Sequence, residues 1–207
     1  MNILQRSDDW HSERCGKVTA SRIKDIDAKP AKGKVLNSLG LIILSERLTG
    51  VQEETKTTQL MQWGIDHEPH AITAYENETG EFVEGAGLID PPSIPLSGAS
   101  PDGLVGKQGQ LEVKCPYTTT HLNTLLSRKV PDEYIPQITW QLACTKRQWC
   151  DFVSYDPRLP EYLQLVVIRV FAKDLDITGL EESVIAFNKT IDRAIDQLAL
   201  NQKLKVA

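Results

Sequence analysis

The sequence predicts a single domain of the α/β class. Some segments carry apolar residues every three or four positions, as helices do, whereas others alternate or run apolar throughout, as strands do. The 207 residues are 41% hydrophobic and 25% charged, which is enough for one domain with an ample core. No internal repeat or low-complexity stretch marks a boundary, so we expect one domain over residues 1–207.

Helices are predicted where the apolar period or a helix start signal is present. These segments span residues 10–14, 22–27, 36–48, 61–79, 137–145 and 180–200. Ser7 begins a predicted cap of the first segment, and Ser21 is predicted to cap the second. Because proline lacks the N–H that a helix interior needs, we expect Pro69 to break the fourth segment or to start a second helix there.

Strands are predicted in five segments. They span residues 82–88, 94–99, 110–114, 149–155 and 162–171. The near-continuous apolar run at 163–168 is typical of a central strand that is buried on both faces.

Charge is distributed unevenly along the chain. The formal net charge of −5 argues at first against a nucleic-acid partner. Residues 14–34 are nevertheless strongly basic, whereas acids dominate residues 46–90. A basic face beside an acidic body can still follow phosphates, so DNA binding is compatible with the composition.

The cysteines and the hydropathy indicate the compartment. Cys15, Cys115, Cys144 and Cys150 are scattered, without metal-site spacing, so reduced thiols are expected rather than disulfides or zinc. No apolar run approaches the roughly 18 residues of a membrane span, and the first residues show no signal-peptide segment. We therefore expect no membrane association and a location in the cytosol of a bacterium or a phage-infected host.

One pair of motifs carries the chemistry. Residues 100–103 read Ser-Pro-Asp-Gly, and residues 110–114 read Gln-Leu-Glu-Val-Lys. In a strand, Glu112 and Lys114 share a face, and a hairpin-like link would bring Asp102 beside Glu112. Two carboxylates suit Mg²⁺, and an adjacent lysine can hold or help to deprotonate a water, as metal-assisted phosphodiester hydrolysis requires. Each motif alone is also a common turn or a half-buried strand.

Other candidates have two readings each. Glu68 falls on an apolar helical stripe, which fits either a third acidic group near the metal or a structural salt bridge. Gln137 and Gln141 lie one turn apart, where they could orient water or a phosphate, or decorate the surface. Arg14 and Ser21 could bind a phosphate, or form a plain cap beside a solvated arginine.

The ordered Pro-Asp and Glu-Val-Lys pair resembles the core of the PD-(D/E)xK nuclease superfamily. From about residue 10 to residue 171, the chain further resembles the phage lambda exonuclease family of YqaJ-like viral recombinases. In chain order, the markers are Asp-Trp-His-x-x-Arg at 9–14, Gly-x-Val-Thr-Ala-Ser at 16–21, Ala-Lys-Pro with Gly-Lys at 28–34, Glu68, Ser-Pro-Asp-Gly-Leu at 100–104, Leu-Glu-Val-Lys-Cys-Pro at 111–116, Gln137 and Tyr-Asp-Pro-Arg at 155–158.

The resemblance implies a fold and a set of site residues. The fold would be a restriction-endonuclease-like core, with a mixed central β-sheet flanked by helices. Mg²⁺ ligands would be Asp102, Glu112 and the Val113 carbonyl; Lys114 would position or activate the attacking water; and Glu68 and Gln137 would support the site.

The resemblance also implies a pocket for the 5′-phosphate of the strand being cut. Arg14 and Ser21 match that pocket. Family members can carry an arginine directly after the Lys-Pro pair, where this chain has Ala31. Lys32 or Lys34 is expected to substitute for it.

The implied activity is 5′→3′ digestion of one strand of linear double-stranded DNA to mononucleotides. The remaining 3′ single-stranded tails would serve recombination by strand annealing. Two Mg²⁺ ions are implied, with Mn²⁺ able to substitute, as are a homotrimeric ring and a single-strand annealing protein as partner. The alternatives are an endonuclease of the same superfamily and a catalytically inactive DNA-binding protein of the same fold. Against the latter, both carboxylates and the lysine are present.

Overall fold

The computed structural model describes residues 5–53 and 57–206. Its helices are α1 (Asp8–Arg14), α2 (Ser38–Thr49), α3 (Gln59–Thr79), α4 (Thr118–Ser127), α5 (Ile135–Thr145) and α6 (Ile177–Val206). Its strands are β1 (Val18–Thr19), β2 (Val83–Glu84), β3 (Ser97–Gly98), β4 (Gly103–Val105), β5 (Gly109–Lys114), β6 (Trp149–Tyr155) and β7 (Leu165–Phe171). Short 3₁₀ helices cover Ala20–Asp25, Asp132–Tyr134, Glu161–Leu163 and Ala172–Asp174.

The central sheet has five strands in the order β2-β4-β5-β6-β7. Strands β5 and β6 pair in parallel, from Gly109 opposite Trp149 to Lys114 opposite Ser154. The other neighbours in this sheet are antiparallel. A separate parallel pair joins β1 to β3. The expected mixed sheet flanked by helices is confirmed.

Helices cover both faces of the central sheet. On one face, α3 packs on residues that point from β5 and β6; this layer includes Ala71, Tyr75, Leu111, Val113 and Val153. On the opposite face, α5 supplies Ile138 and Leu142 against Cys150 and Phe152. Beyond α5, a further cluster joins α2, α6 and the 3₁₀ helix Ala20–Asp25. The strand β5 therefore lies between two helical layers, which buries its side chains on both sides.

The predicted central strand near the C-terminus lies at the edge instead. β7 pairs with β6 alone. Its apolar run nevertheless follows from the packing, because Leu165 and Val167 contact the α3 layer, whereas Ile168 and Val170 contact the α5 layer. Where helices cover both faces of a strand, successive residues such as those at 165–168 are apolar, even when the strand lies at an edge.

Two other local predictions were wrong. α3 continues through Pro69, because losing one backbone hydrogen bond in the helix does not outweigh the packing of Ala71 and Tyr75 farther along it. Ser21 does not cap a helix, since it lies inside the 3₁₀ helix that follows Thr19.

The two strands predicted before the motif are shorter than expected. Segment 82–88 is reduced to β2, and segment 94–99 to β3 plus an isolated bridge between Ile89 and Ala99. The physical reason is a lack of partners, since β2 pairs with β4 over two residues only. Among the described residues, no helix is long and apolar enough to cross a membrane.

The first residue of β5 is packed under an aromatic ring. A Cβ added at Gly109 would lie 2.1 Å from the Trp149 side chain, and the Arg169 guanidinium carbon stacks on that ring at 3.6 Å from its centroid. We therefore expect Gly109→Ala to lower the free energy of unfolding by about 1–3 kcal/mol through overpacking. Urea unfolding measures this change.

The matched control is Gly85→Ala, because a Cβ added at Gly85 meets nothing within 4 Å. Its free energy of unfolding should stay within about 0.5 kcal/mol of the wild type. Equal midpoints for the two variants would contradict the close packing at Gly109.

Candidate active site

The β4–β5 hairpin brings the two halves of the motif together. Gly103 lies opposite Leu111 in the antiparallel register, and the Asp102 N–H donates to the Leu111 carbonyl at 3.0 Å. The Asp102 side chain then accepts the Val113 N–H at Oδ2, at 2.7 Å. Glu112 projects from the same strand, on the face opposite Leu111 and Val113. The predicted proximity of the two carboxylates is therefore present.

Glu112 is a buried carboxylate with three side-chain donors. Its exposed fraction is 0%. Lys114 Nζ and Gln137 Nε2 donate to Oε1, the latter at 2.6 Å, and Gln141 Nε2 donates to Oε2 at 2.5 Å. A buried charge is tolerated only with such partners. Both glutamines thus bind the Glu112 carboxylate, and neither is surface decoration.

The electrostatics couple Asp102, Glu112 and Lys114. Burial raises the pKa of Asp102 well above its usual value, and the negative charges of Glu112 and Glu68 raise it further. Burial acts to lower the pKa of Lys114, but the neighbouring Glu112 and Asp102 carboxylates outweigh it and raise that pKa. The site is therefore short of positive charge, although it already holds one ammonium group.

Glu68 fits both of its predicted roles. It lines the same cavity as Asp102 and contributes to the raised pKa of that residue. It also forms a salt bridge with Arg6, and 20% of its side chain remains exposed. The carboxylate on the apolar stripe thus faces the site, where a cation partly compensates it.

Arg14 forms a separate cationic corner. Its Nη2 donates to Thr19 Oγ1 at 3.2 Å and to Ser21 Oγ at 3.0 Å, and its guanidinium carbon lies 4.1 Å from the Trp10 ring centroid. Burial, followed by the charge of Arg22, lowers the pKa of Arg14 to about 10. Among the described carboxylates, none forms an ion pair with Arg14. The two hydroxyls accept hydrogen bonds from Arg14 but do not balance its charge, so its guanidinium is suited to bind an anion.

One open cavity of about 460 Å³ joins these groups. The sequence-predicted site residues that line it are Arg14, Ser21, Glu68, Asp102, Glu112, Val113, Lys114 and Gln137. Residues distant in the chain therefore converge at one place, with carboxylates and an ammonium in one part and a guanidinium with a hydroxyl in another.

Comparison with known proteins identifies the family. The model of the YqaJ-like viral recombinase domain matches residues 9–148, which contain every predicted site residue. The chain belongs to this family. Among curated protein sequences, none matches it.

Solved exonuclease structures resemble this YqaJ-like domain. The alkaline exonuclease LHK-Exo from Laribacter hongkongensis is 44% identical, with a TM-score of 0.87, covering 97% of this chain and all of that chain. Its complex with dAMP gives a TM-score of 0.88 at the same identity and coverage. A phage-related exonuclease from Haemophilus somnus 129PT is 14% identical with a TM-score of 0.66, covering 88% of this chain and 96% of that chain, and shows the fold alone.

Two predicted phosphate-pocket residues of this YqaJ-like domain lie elsewhere. Lys32 and Lys34 are exposed, and neither lines the cavity. Both lysines lie in a loop whose ends are held together, because the Asn37 amide donates to the carbonyls of Asp25 and Ala28. This clamp joins the two ends of the loop, so its middle protrudes into solvent.

The cavity also contains residues to which sequence reasoning assigned no role. The Ser100 hydroxyl accepts the Trp10 indole N–H at 2.9 Å, and the Lys114 ammonium lies 5.1 Å from the Tyr134 ring centroid. Ser100 lies inside the recognised motif, which was the available signal. No sequence motif marks Tyr134, because its contact with Lys114 depends on where α5 begins relative to β5.

The donor set of the YqaJ-like site fits Mg²⁺. Within the described part of the chain, no cluster of three or more His, Cys, Asp or Glu side chains is arranged to hold a metal ion. Asp102 and Glu112 instead offer paired carboxylates, and Mg²⁺ typically takes one or two of these while keeping waters and substrate phosphates. Their like charges, which raise the pKa of Asp102, are what a cation would compensate.

Asp102 should make stability depend on pH. Its pKa is raised in the folded chain, so the folded state holds the proton more tightly, and stability falls as pH rises from the unfolded value of ~3.9 through the folded one. Asp102→Asn removes this charge. We expect the variant to unfold at a higher temperature than wild type at pH 8 in EDTA, with an advantage that disappears below about pH 4. Calorimetry across this range measures the difference.

The control is Asp174→Asn, because Asp174 is exposed. It should change the unfolding temperature little at any pH. An advantage of Asp102→Asn that stayed constant from pH 4 to pH 8 would contradict the assigned electrostatics.

Proposed function

We propose that this chain is a Mg²⁺-dependent 5′→3′ exonuclease that digests one strand of linear double-stranded DNA to mononucleotides. It leaves 3′ single-stranded tails for recombination by strand annealing. The observation that carries this proposal is the single cavity in which Asp102, Glu112 and Lys114 share space with Arg14 and Ser21. Cleavage next to a terminal phosphate requires hydrolytic residues and an anion-binding group in the same cavity.

In the hydrolytic part, the carboxylates and the lysine have different tasks. Asp102 and Glu112, with the Val113 carbonyl, would hold Mg²⁺ (two ions, with Mn²⁺ as a substitute). When bound, the metal would polarise the scissile phosphate and make water a stronger nucleophile. Lys114 carries a positive charge beside Glu112, so it can orient a water and stabilise the negative charge that develops on the phosphate. Gln137 holds one oxygen of Glu112 from within the cavity.

In the cationic part, Arg14 and Ser21 bind the 5′-phosphate of the strand being cut. The Arg14 guanidinium already donates to two hydroxyls and forms no ion pair with a described carboxylate, so a phosphate would supply its missing counter-charge. The similar LHK-Exo was solved with dAMP, a nucleoside monophosphate. Phosphate contacts fix register without reading bases, so low sequence specificity follows.

Assembly and partner complete the proposal. A homotrimeric ring would enclose the duplex and keep the enzyme on its substrate, and a single-strand annealing protein would receive the 3′ tail. The support is membership of a viral recombinase family.

Removing the hydrolytic groups should abolish digestion. We expect Asp102→Ala, Glu112→Ala and Lys114→Ala each to lower Mg²⁺-dependent turnover of linear duplex by about 100-fold or more, because each removes charge from the reacting centre. Release of acid-soluble nucleotides measures the rate, and circular dichroism checks folding. The matched control is Lys107→Ala, an exposed lysine of the same hairpin, which should digest like the wild type. Wild-type activity in Asp102→Ala would refute the assignment.

The same assay distinguishes the alternative functions. Digestion of covalently closed circular DNA would indicate an endonuclease. Duplex binding without any Mg²⁺-dependent cleavage would indicate a catalytically inactive DNA-binding protein. A requirement for a free 5′ end supports the exonuclease.

Removing Arg14 should erode the preference for phosphorylated ends. We expect Arg14→Ala to lower the ratio of digestion rates on 5′-phosphorylated and 5′-hydroxyl duplex by about tenfold, equivalent to one charged hydrogen bond of ~1.5 kcal/mol. Paired rate measurements on the two substrates give this ratio. Lys32→Ala is the matched loss of a cation outside the cavity, and its ratio should be unchanged. If the two variants behaved alike, Arg14 would not be the anchor.

A further inference from the structure

A buried chain of polar side chains extends from Glu112 away from the cavity. Gln141 donates to Glu112 Oε2 at 2.5 Å, and Gln110 Nε2 donates to Gln141 Oε1 at 3.3 Å. Thr145 Oγ1 then donates to Gln110 Oε1 at 2.7 Å, and the Arg147 N–H donates to Thr145 Oγ1 at 3.3 Å. We call the side chains of Gln141, Gln110 and Thr145 the amide relay.

The relay arises because strand and helix periods match. Gln110, Glu112 and Lys114 lie on one face of β5, where a step of two residues advances about 6.6 Å. On α5, Gln141 and Thr145 are separated by four residues, a step of about 6.0 Å along one helix face. Each strand side chain therefore meets a helix side chain, and the contacts repeat along the interface.

The carboxylate sets the direction of every bond in the relay. An ionised carboxylate only accepts hydrogen bonds, so Gln141 must turn its NH₂ group toward Glu112. Its carbonyl oxygen then faces Gln110, which must donate, and the carbonyl oxygen of Gln110 faces the hydroxyl of Thr145. If Gln110 were absent, the buried carbonyl of Gln141 would lack its donor.

The relay lies behind the site rather than in it. Gln141 and Gln110 are each 0% exposed, and neither lines the cavity, whereas Gln137 does. The two glutamines that hold Glu112 thus differ, because only Gln137 is able to meet substrate. Gln141 supplies the donor that the buried Oε2 of Glu112 needs. Gln110 and Thr145 do not touch Glu112, and their bonds instead fix the amide of Gln141.

We propose that Gln141 is a positioning residue that fixes the orientation of the Glu112 carboxylate for the metal, and that Gln110 acts through Gln141 by fixing its amide. This inference rests on the proposed function, since it assigns Glu112 to the metal. Residues that orient a ligating carboxylate from behind typically change metal affinity or activity by about 10–100-fold when removed.

The test is Gln141→Met, which keeps the length of the side chain but removes its donor. We expect the dissociation constant for Mg²⁺ alone, measured by isothermal titration calorimetry on the full chain without DNA, to rise about tenfold or more. The turnover number on linear duplex should fall by a similar factor while KM stays within about twofold. The control is Thr139→Val, because Thr139 is buried on the same helix and its hydroxyl donates to the Ile135 carbonyl. This variant should leave all three quantities unchanged.

A second comparison isolates the relay from simple core damage. Gln110→Met should weaken Mg²⁺ binding in the wild-type background but have no further effect when Gln141→Met is already present, because its action passes through Gln141. Thermal unfolding is measured for each variant so that affinities are compared on folded protein. Equal effects of Gln110→Met in both backgrounds, or unchanged Mg²⁺ affinity in Gln141→Met, would overturn the proposal.

Mg²⁺ binding and duplex digestion by the wild type test the proposed function separately. If it neither bound Mg²⁺ nor digested duplex, the proposed function would fail and the role of the relay with it. If it did both while Gln141→Met equalled it, the relay alone would fail.

Discussion

The whole site depends on one buried negative charge, the carboxylate of Glu112. A charge that is removed from water must be surrounded by donors, or the fold loses more than it gains by burial. Here the donors come from Lys114 on the same strand and from Gln137 and Gln141 on α5. This need ties α5 to the middle of the sheet and determines which face of that helix is polar. Beside these donors, Ile138 and Leu142 of α5 are fully buried and pack with Cys150 and Phe152.

The cavity holds paired and unpaired charges. Lys114 pairs with Glu112 and Arg6 pairs with Glu68, whereas Arg14 forms no ion pair with a described carboxylate. In a further buried ion pair, Glu46 binds Arg22 in a bidentate manner and accepts the Gly16 N–H. The turn after α1 is thereby anchored to α2. Arg14 therefore keeps a positive charge that no described carboxylate pairs with, in the cavity that Asp102 and Glu112 also line.

Local patterns predicted most elements because they depend on nearest neighbours. The cap at Ser7, the end of α3 at Thr79 and the limits of β6 all appear as expected. The failures have one cause, which is tertiary context. The apolar run of β7 looked central although it lies at an edge, because helices cover both faces there. Lys32 is close to Arg14 in sequence, yet the clamp at Asn37 turns its loop outward.

The sequence by itself determined the α/β class and the family resemblance. It also determined that Asp102 lies beside Glu112, because a short hairpin leaves little choice of register. Only the tertiary structure decided that Arg14 shares their cavity and that Gln141 lies buried behind Glu112 while Gln137 faces the opening. Contacts between β5 and α5 join residues about 30 positions apart, and no local preference encodes how two such surfaces meet. Their meeting follows from burying two apolar faces around a charge that needs donors.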